Sequence, residues 1–120
     1  MSDKHRTIMS KYGAKKTVVG GLTFDSRAEA RRWADLLLLQ KAGAISGLQR
    51  QVAYELAPKV RLEGSTRAKP ALRYVADFHY WDVQAGKLVV EDTKGVLTDV
   101  FRVKQHLMAT VHGIHVRVTA

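Results

Sequence analysis

The hydrophobic positions of this chain change period several times, and each change marks an element. Residues 1–15 are polar and basic (Lys4, Arg6, Lys11 and Lys15 against Asp3) without a period, and read as a flexible basic arm. Thr17-Val18-Val19 and Leu22-Thr23-Phe24 flank Gly20-Gly21, two β-prone runs across a turn pair, which predicts a hairpin. Ser26-Arg27-Ala28-Glu29 has capping-box spacing and opens a helix expected to run to about Lys41, with Gly43 as its stop. At about 100° per residue, Ala30, Trp33, Ala34, Leu36 and Leu37 share the core-facing side, whereas Leu38 and Leu39 fall outside it.

Strand signals follow. Leu48 to Leu56 reads as a strand, and Ala57 to Pro70 as a loop by its glycine, serine and two prolines. Arg73 to Trp81 and Lys87 to Thr93 read as strands joined at Gln84-Ala85-Gly86, a second hairpin. Thr98 or Asp99 can cap a helix that reaches His112 and stops at Gly113, with Val100, Val103, Leu107, Met108 and Val111 as its inward stripe. Ile114 to Val118 alternates and predicts a closing strand. The order hairpin, helix, three strands, helix, strand implies one α/β (α+β) domain over residues 16–120. Its mixed sheet would be flanked by helices.

Composition narrows the partner. The 120 residues hold 20 Lys+Arg against 11 Asp+Glu, a net charge of +9, which favours a polyanion, nucleic acid before a membrane surface. The longest apolar run, Leu36 to Leu39, is far too short to span a bilayer, and no secretory leader is apparent, so a cytoplasmic protein is expected. The absence of cysteine excludes disulfides, thiolate zinc sites and cysteine nucleophiles. His79, His106, His112 and His115 lack ligand spacing, and no phosphate-cradling glycine loop exists, so no nucleotide cofactor is expected.

Two acids interrupt apolar strands. Asp77 lies within Tyr74-Val75-Ala76-Asp77-Phe78, and Asp92 ends Leu88-Val89-Val90-Glu91-Asp92. Burying a carboxylate is costly unless it is paired, hydrogen-bonded or bound to a metal. Asp92 and Lys94 share one face of their strand, Glu91 takes the other, and pairing across Gly86 can bring Asp77 beside Asp92. Two carboxylates and an ammonium suit magnesium-dependent phosphodiester hydrolysis; a surface salt bridge explains Asp92 and Lys94 equally simply. Glu29 likewise reads two ways, as the third helix residue of the capping box or as an acid turned toward the sheet.

Taken together, Ser26-Arg27-Ala28-Glu29-Ala30, Tyr74-Val75-Ala76-Asp77-Phe78 and Val90-Glu91-Asp92-Thr93-Lys94-Gly95 resemble the motifs of the PD-(D/E)xK nuclease superfamily. The element order is similar to its restriction-endonuclease-like αβββαβ core. Within it the chain most resembles a small phage-encoded family of unknown function, akin to phage Holliday-junction-resolving endonucleases. The resemblance covers about Thr17 to Val118. It departs at Ala76, where the signature has proline, and carries Asp92 where many members have glutamate.

The resemblance implies a divalent-metal-dependent endodeoxyribonuclease acting on branched DNA in the cytoplasm of a bacterial host. Asp77, Asp92, Glu29 and the Thr93 carbonyl would hold Mg²⁺ or Mn²⁺, with Lys94 as the catalytic lysine. Lys104, which projects into the inward stripe of its helix, either snorkels to an edge or touches phosphate, Gln51 is a candidate of the same kind, and Arg61, Arg67, Lys69 and Arg73 of the basic loop would track the DNA backbone. Paired cuts suggest a homodimer, for which Leu38 and Leu39 offer a surface unless the N-terminal hairpin covers them. The alternative is a catalytically silent nucleic-acid-binding protein of the same fold.

Overall fold

The computed structural model describes residues 6–9 and 15–120, with side chains described from Lys16 onward. Strands β1 (Arg6–Met9), β2 (Lys15–Val19) and β3 (Leu22–Phe24) form an antiparallel three-stranded sheet in that order. Five residues of the stretch read as an arm therefore lie in strands, Arg6–Met9 in β1 and Lys15 in β2; the rest of that arm, 1–5 and 10–14, lies outside the described residues. Gly20 and Gly21 both have positive φ, the left-handed pair that a tight two-residue hairpin requires.

Helix α1 (Arg27–Lys41) starts where expected: the Glu29 N–H donates to Ser26 Oγ at 3.1 Å. Strands β4 (Ile45–Ala57), β5 (Leu72–Asp82) and β6 (Lys87–Thr93) are antiparallel neighbours. Helix α2 (Asp99–His112) then carries the chain over to β7 (Arg117–Thr119), parallel to β6. The four-stranded sheet is thus mixed, with order β4-β5-β6-β7, and the fold is α+β. Thr98, not Asp99, caps α2, and Gly113 at φ +67 closes it as a left-handed cap, its N–H donating to the Ala109 carbonyl at 3.1 Å.

Both helices bury narrower stripes than their apolar patterns suggest. On α1, Glu29, Ala30 and Leu36 are buried and Trp33 stacks on Phe78 at 5.9 Å, but Leu37 is 43 % exposed and Ala34 is open. On α2 the buried residues are Phe101 and Met108, while Val100 (65 % exposed), Val103 (58 %) and Val111 face outward. The contact line sits about one residue, roughly 100°, away from the valine stripe, because one sheet face covers only a narrow band of a helix. Leu38 is 67 % exposed, so the N-terminal hairpin does not cover it; that hairpin buries Phe24 beside Trp33 instead.

The helices lie on opposite faces of the sheet: Val89 packs with Leu36 of α1, and its neighbour Val90 with Phe101 and Met108 of α2. On β5, Tyr74, Ala76, Phe78 and Tyr80 are all buried at alternate positions, which a regular strand would aim at one face. Yet Phe78 and Tyr80 join the α1 cluster, and Tyr74 and Ala76 the α2 cluster. Strand β4 changes sides too, Leu48 packing toward α1 and Tyr54 and Leu56 toward α2. The changes adjoin at Asp77 on β5 and Gln51 on β4. Gln51 has φ +56, the one positive φ outside glycine among the described residues.

Candidate active site

This crossing places the acids. β5 pairs with β6 in the register Phe78↔Glu91, and one step further sets Asp77 opposite Asp92. On the other side, Gln51 falls between the pairs Arg50↔Phe78 and Val52↔Ala76, which sets it opposite Asp77. Gln51, Asp77 and Asp92 therefore form one row across three strands.

The two aspartates are fastened to each other's strands. The Asp77 N–H donates to Asp92 Oδ1 at 3.1 Å, and the Thr93 N–H donates to Asp77 Oδ2 at 2.9 Å. The buried Tyr74 hydroxyl donates to Asp92 Oδ2 at 2.8 Å, and Lys94 Nζ stands 3.6 Å from that same oxygen. Lys94 also lies over the Phe101 ring at 5.0 Å, while its backbone N–H is held by the Thr119 carbonyl at 2.9 Å. Burial, reinforced by the Asp92 carboxyl within hydrogen-bonding reach, pushes the Asp77 carboxyl up to about 8, against the pull of the Thr93 N–H. Burial and Asp92 also raise the Tyr74 hydroxyl, so it remains a donor at neutral pH.

Glu29 bonds in both of the directions its position suggests, back toward the start of its helix and across to the sheet. Its Oε2 accepts from the Asp25 N–H at 3.2 Å, one residue before the expected capping partner. Its Oε1 accepts from Gln51 Nε2 at 3.3 Å and lies 4.0 Å from Arg50 Nη2. Burial first, then Asp25, raises its carboxyl above the usual glutamate range, and Asp92 adds a smaller push in the same direction. Among the described residues no three acidic or histidine side chains gather tightly enough to hold a metal on their own. Asp77 and Asp92 are the acids that stand together, with Glu29 beside them rather than between them.

Lys104 lines the cleft that also holds Tyr74, Asp92, Lys94 and Phe101, so the half-buried lysine of α2 does reach the rim. The loop between β4 and β5 is a short finger, with Val60 and Lys69 bonding N–H to carbonyl in both directions. Arg61, Arg67, Lys69 and Arg73 are all exposed on it or at its base, Arg61 bonding the Thr66 carbonyl at 3.2 Å. Glu91 points away from the site, as its strand position requires. It is fully buried, gripped by Arg32 at 2.6 and 3.0 Å and by the Tyr80 hydroxyl at 2.6 Å.

Two contributors have no sequence signal. Tyr74 lies three residues from Asp77, a spacing that puts two side chains on opposite faces of a regular strand, and only the crossing brings both to Asp92. Arg50 reaches Glu29, the Thr23 carbonyl (2.7 Å) and the face of Phe24 (4.4 Å), joining the N-terminal hairpin to the site.

Fold and site together define an α+β domain with an αβββαβ core that presents two facing carboxylates and a lysine where the middle of β5 meets the end of β6. The family described as "Protein of unknown function (DUF1064)" matches residues 9–119, and the chain belongs to that family. Neither the curated proteins nor the solved structures bring a match. Among the described residues no helix is long and apolar enough to cross a membrane.

Proposed function

We propose that this protein is a divalent-metal-dependent endodeoxyribonuclease of the PD-(D/E)xK superfamily, acting on branched, Holliday-junction-like DNA during phage recombination or replication. The observation that carries the reading is the facing pair Asp77 and Asp92 with Lys94 Nζ 3.6 Å from Asp92. Two buried carboxylates beside one partly exposed ammonium leave negative charge to be neutralised, and burial has already pushed Asp77 toward holding a proton instead. That donor set fits Mg²⁺ or Mn²⁺, hard cations held by one or two carboxylates plus waters and substrate phosphate.

Asp77 and Asp92 would hold the cation, with the Thr93 carbonyl as a further oxygen. A cation bound there supplies a more acidic water and offsets charge on the phosphate. Lys94, held by Asp92 and by the Phe101 ring, presents its ammonium to the charge that develops on the phosphate oxygens. Lys104 binds a neighbouring phosphate from the same cleft, and the finger bearing Arg61, Arg67 and Lys69 follows the DNA backbone. Two cuts of a junction call for two such sites, which a homodimer supplies.

Cleavage of supercoiled, linear and four-way-junction DNA, with Mg²⁺ and with EDTA, tests this. Wild-type protein should cut the junction only with the cation, and Lys94→Ala should bind it with similar affinity but cut at least 100-fold more slowly. Binding without metal-dependent cutting of any of the three DNAs would establish the silent DNA-binding reading instead.

A further inference from the structure

Gln51 stands in the middle of β4, between the pairs Arg50↔Phe78 and Val52↔Ala76, where a strand ought to be most regular, yet its backbone is left-handed. Only glycine, and less readily asparagine and aspartate, enters that region without penalty. Residues held there against their preference persist when their surroundings over-determine them, and they cluster at functional sites.

The contacts show what the conformation achieves. Arg50 and Gln51 are consecutive, so on a regular strand they would point to opposite faces. Here both reach the same oxygen of Glu29, Gln51 Nε2 at 3.3 Å and Arg50 Nη2 at 4.0 Å. The left-handed residue turns the pleat over, and from there β4 packs toward α2 instead of α1. The turnover happens opposite Asp77, in the row that ends at Asp92.

The geometry points to Gln51 as a positioning residue that acts through Glu29. Its turned-over backbone aims its amide at Glu29 and holds that carboxylate at the edge of the Asp77–Asp92 pair. This differs from the phosphate contact that its sequence position suggests. It rests on the metal-dependent reading of the site, with Glu29 serving the cation from beyond its direct ligands. Groups of that kind are worth about 10- to 100-fold in metal affinity or activity when removed.

Two variants separate the backbone from the amide. Gln51→Gly relieves the left-handed strain and deletes the amide; Gln51→Ala keeps the strain and deletes the amide. Full-length proteins would be compared by urea unfolding in EDTA, by Mn²⁺ titration calorimetry and by single-turnover cleavage of a four-way junction. The expected result is a Gln51→Gly protein with a urea midpoint at or above wild type, yet with Mn²⁺ affinity and cleavage rate each about 10-fold lower. Gln51→Ala should match it in both losses and unfold at lower urea.

Wild-type Mn²⁺ affinity and rate in Gln51→Gly would overturn the assignment and leave Gln51 a purely architectural turnover point. Unchanged Mn²⁺ affinity and maximal rate with weakened junction binding would overturn it in favour of a DNA contact. If wild-type protein neither binds Mn²⁺ nor cuts, the reading of the whole site falls and this role falls with it. If wild type does both and only the glycine variant fails to differ, the role of Gln51 alone is refuted.

Discussion

Asp77→Asn gives the most direct test of the acid pair. Wild-type Asp77 is buried beside Asp92, and its carboxyl is raised from 3.8 in an unfolded chain to about 8. Between those values the folded protein holds a proton that the unfolded chain has released. Folding therefore takes up a proton, and each rise in pH across that window costs stability. The full displacement would amount to about 5–6 kcal/mol at 1.36 kcal/mol per pH unit. Solvent entering the cleft reduces it, and about 2 kcal/mol is the expected loss between pH 5 and pH 8. Asparagine keeps an acceptor for the Thr93 N–H, now 2.9 Å from Asp77 Oδ2, and turns an amide rather than a second charge toward Asp92.

The assay is urea unfolding in EDTA at pH 5, 6.5 and 8 for both proteins. Other titrating groups are common to the two, so the difference between them isolates residue 77. The variant should be about 2 kcal/mol more stable than wild type at pH 8 and nearly equal at pH 5. Adding Mg²⁺ at pH 8 should stabilise wild type and leave the variant unmoved, since the cation replaces the proton that the pair otherwise needs. An Asp77→Asn protein less stable than wild type at pH 8 would refute the reasoning: the pair would then be a satisfied structural contact, not a cation site.

Three further outcomes concern other parts of the molecule. Replacing Arg61, Arg67 and Lys69 together with alanine should weaken DNA binding regardless of sequence and flatten its log–log salt dependence by roughly 0.9 for each phosphate no longer neutralised, measured by anisotropy from 50 to 200 mM salt; an unchanged slope would make the finger ordinary surface. Arg32→Ala strips the buried Glu91 of its cation and should cost about 3 kcal/mol in urea unfolding; this compares with less than 1 kcal/mol for Arg102→Ala, whose pair with Asp99 is exposed. Light scattering at micromolar concentration should show a dimer that Leu38→Glu dissociates, because a leucine left two-thirds exposed beside a half-exposed Leu37 is costly to leave wet. A monomer with and without junction DNA would leave single-strand nicking as the better description.

Much of this architecture is written in short-range chemistry. Gly20-Gly21 can adopt the paired left-handed turn at no steric cost, and Ser26 and Thr98 each cap a helix where a hydroxyl is needed. The Gly86 turn fixes how β5 and β6 pair, and counting back from it is enough to set Asp77 against Asp92 and send Glu91 to the opposite face. The acids, the lysine and their mutual arrangement could be read from spacing for that reason: every step between them is local.

What spacing could not show is the turnover of the pleat at Gln51 and Asp77. Nothing in the side chain of glutamine announces a left-handed residue, and the conformation exists only because β4 must serve α1 with one half and α2 with the other. That requirement recruits Tyr74 to Asp92, lets Arg50 and Gln51 share Glu29, and decides that Glu29 stands beside the acid pair. Tertiary contact likewise chose which band of α2 is buried: Met108 is buried as its spacing predicts, but Phe101 joins it in place of Val100, Val103 and Val111. A helix's apolar positions say that it has a face to bury, but the width and line of the surface it meets belong to the sheet.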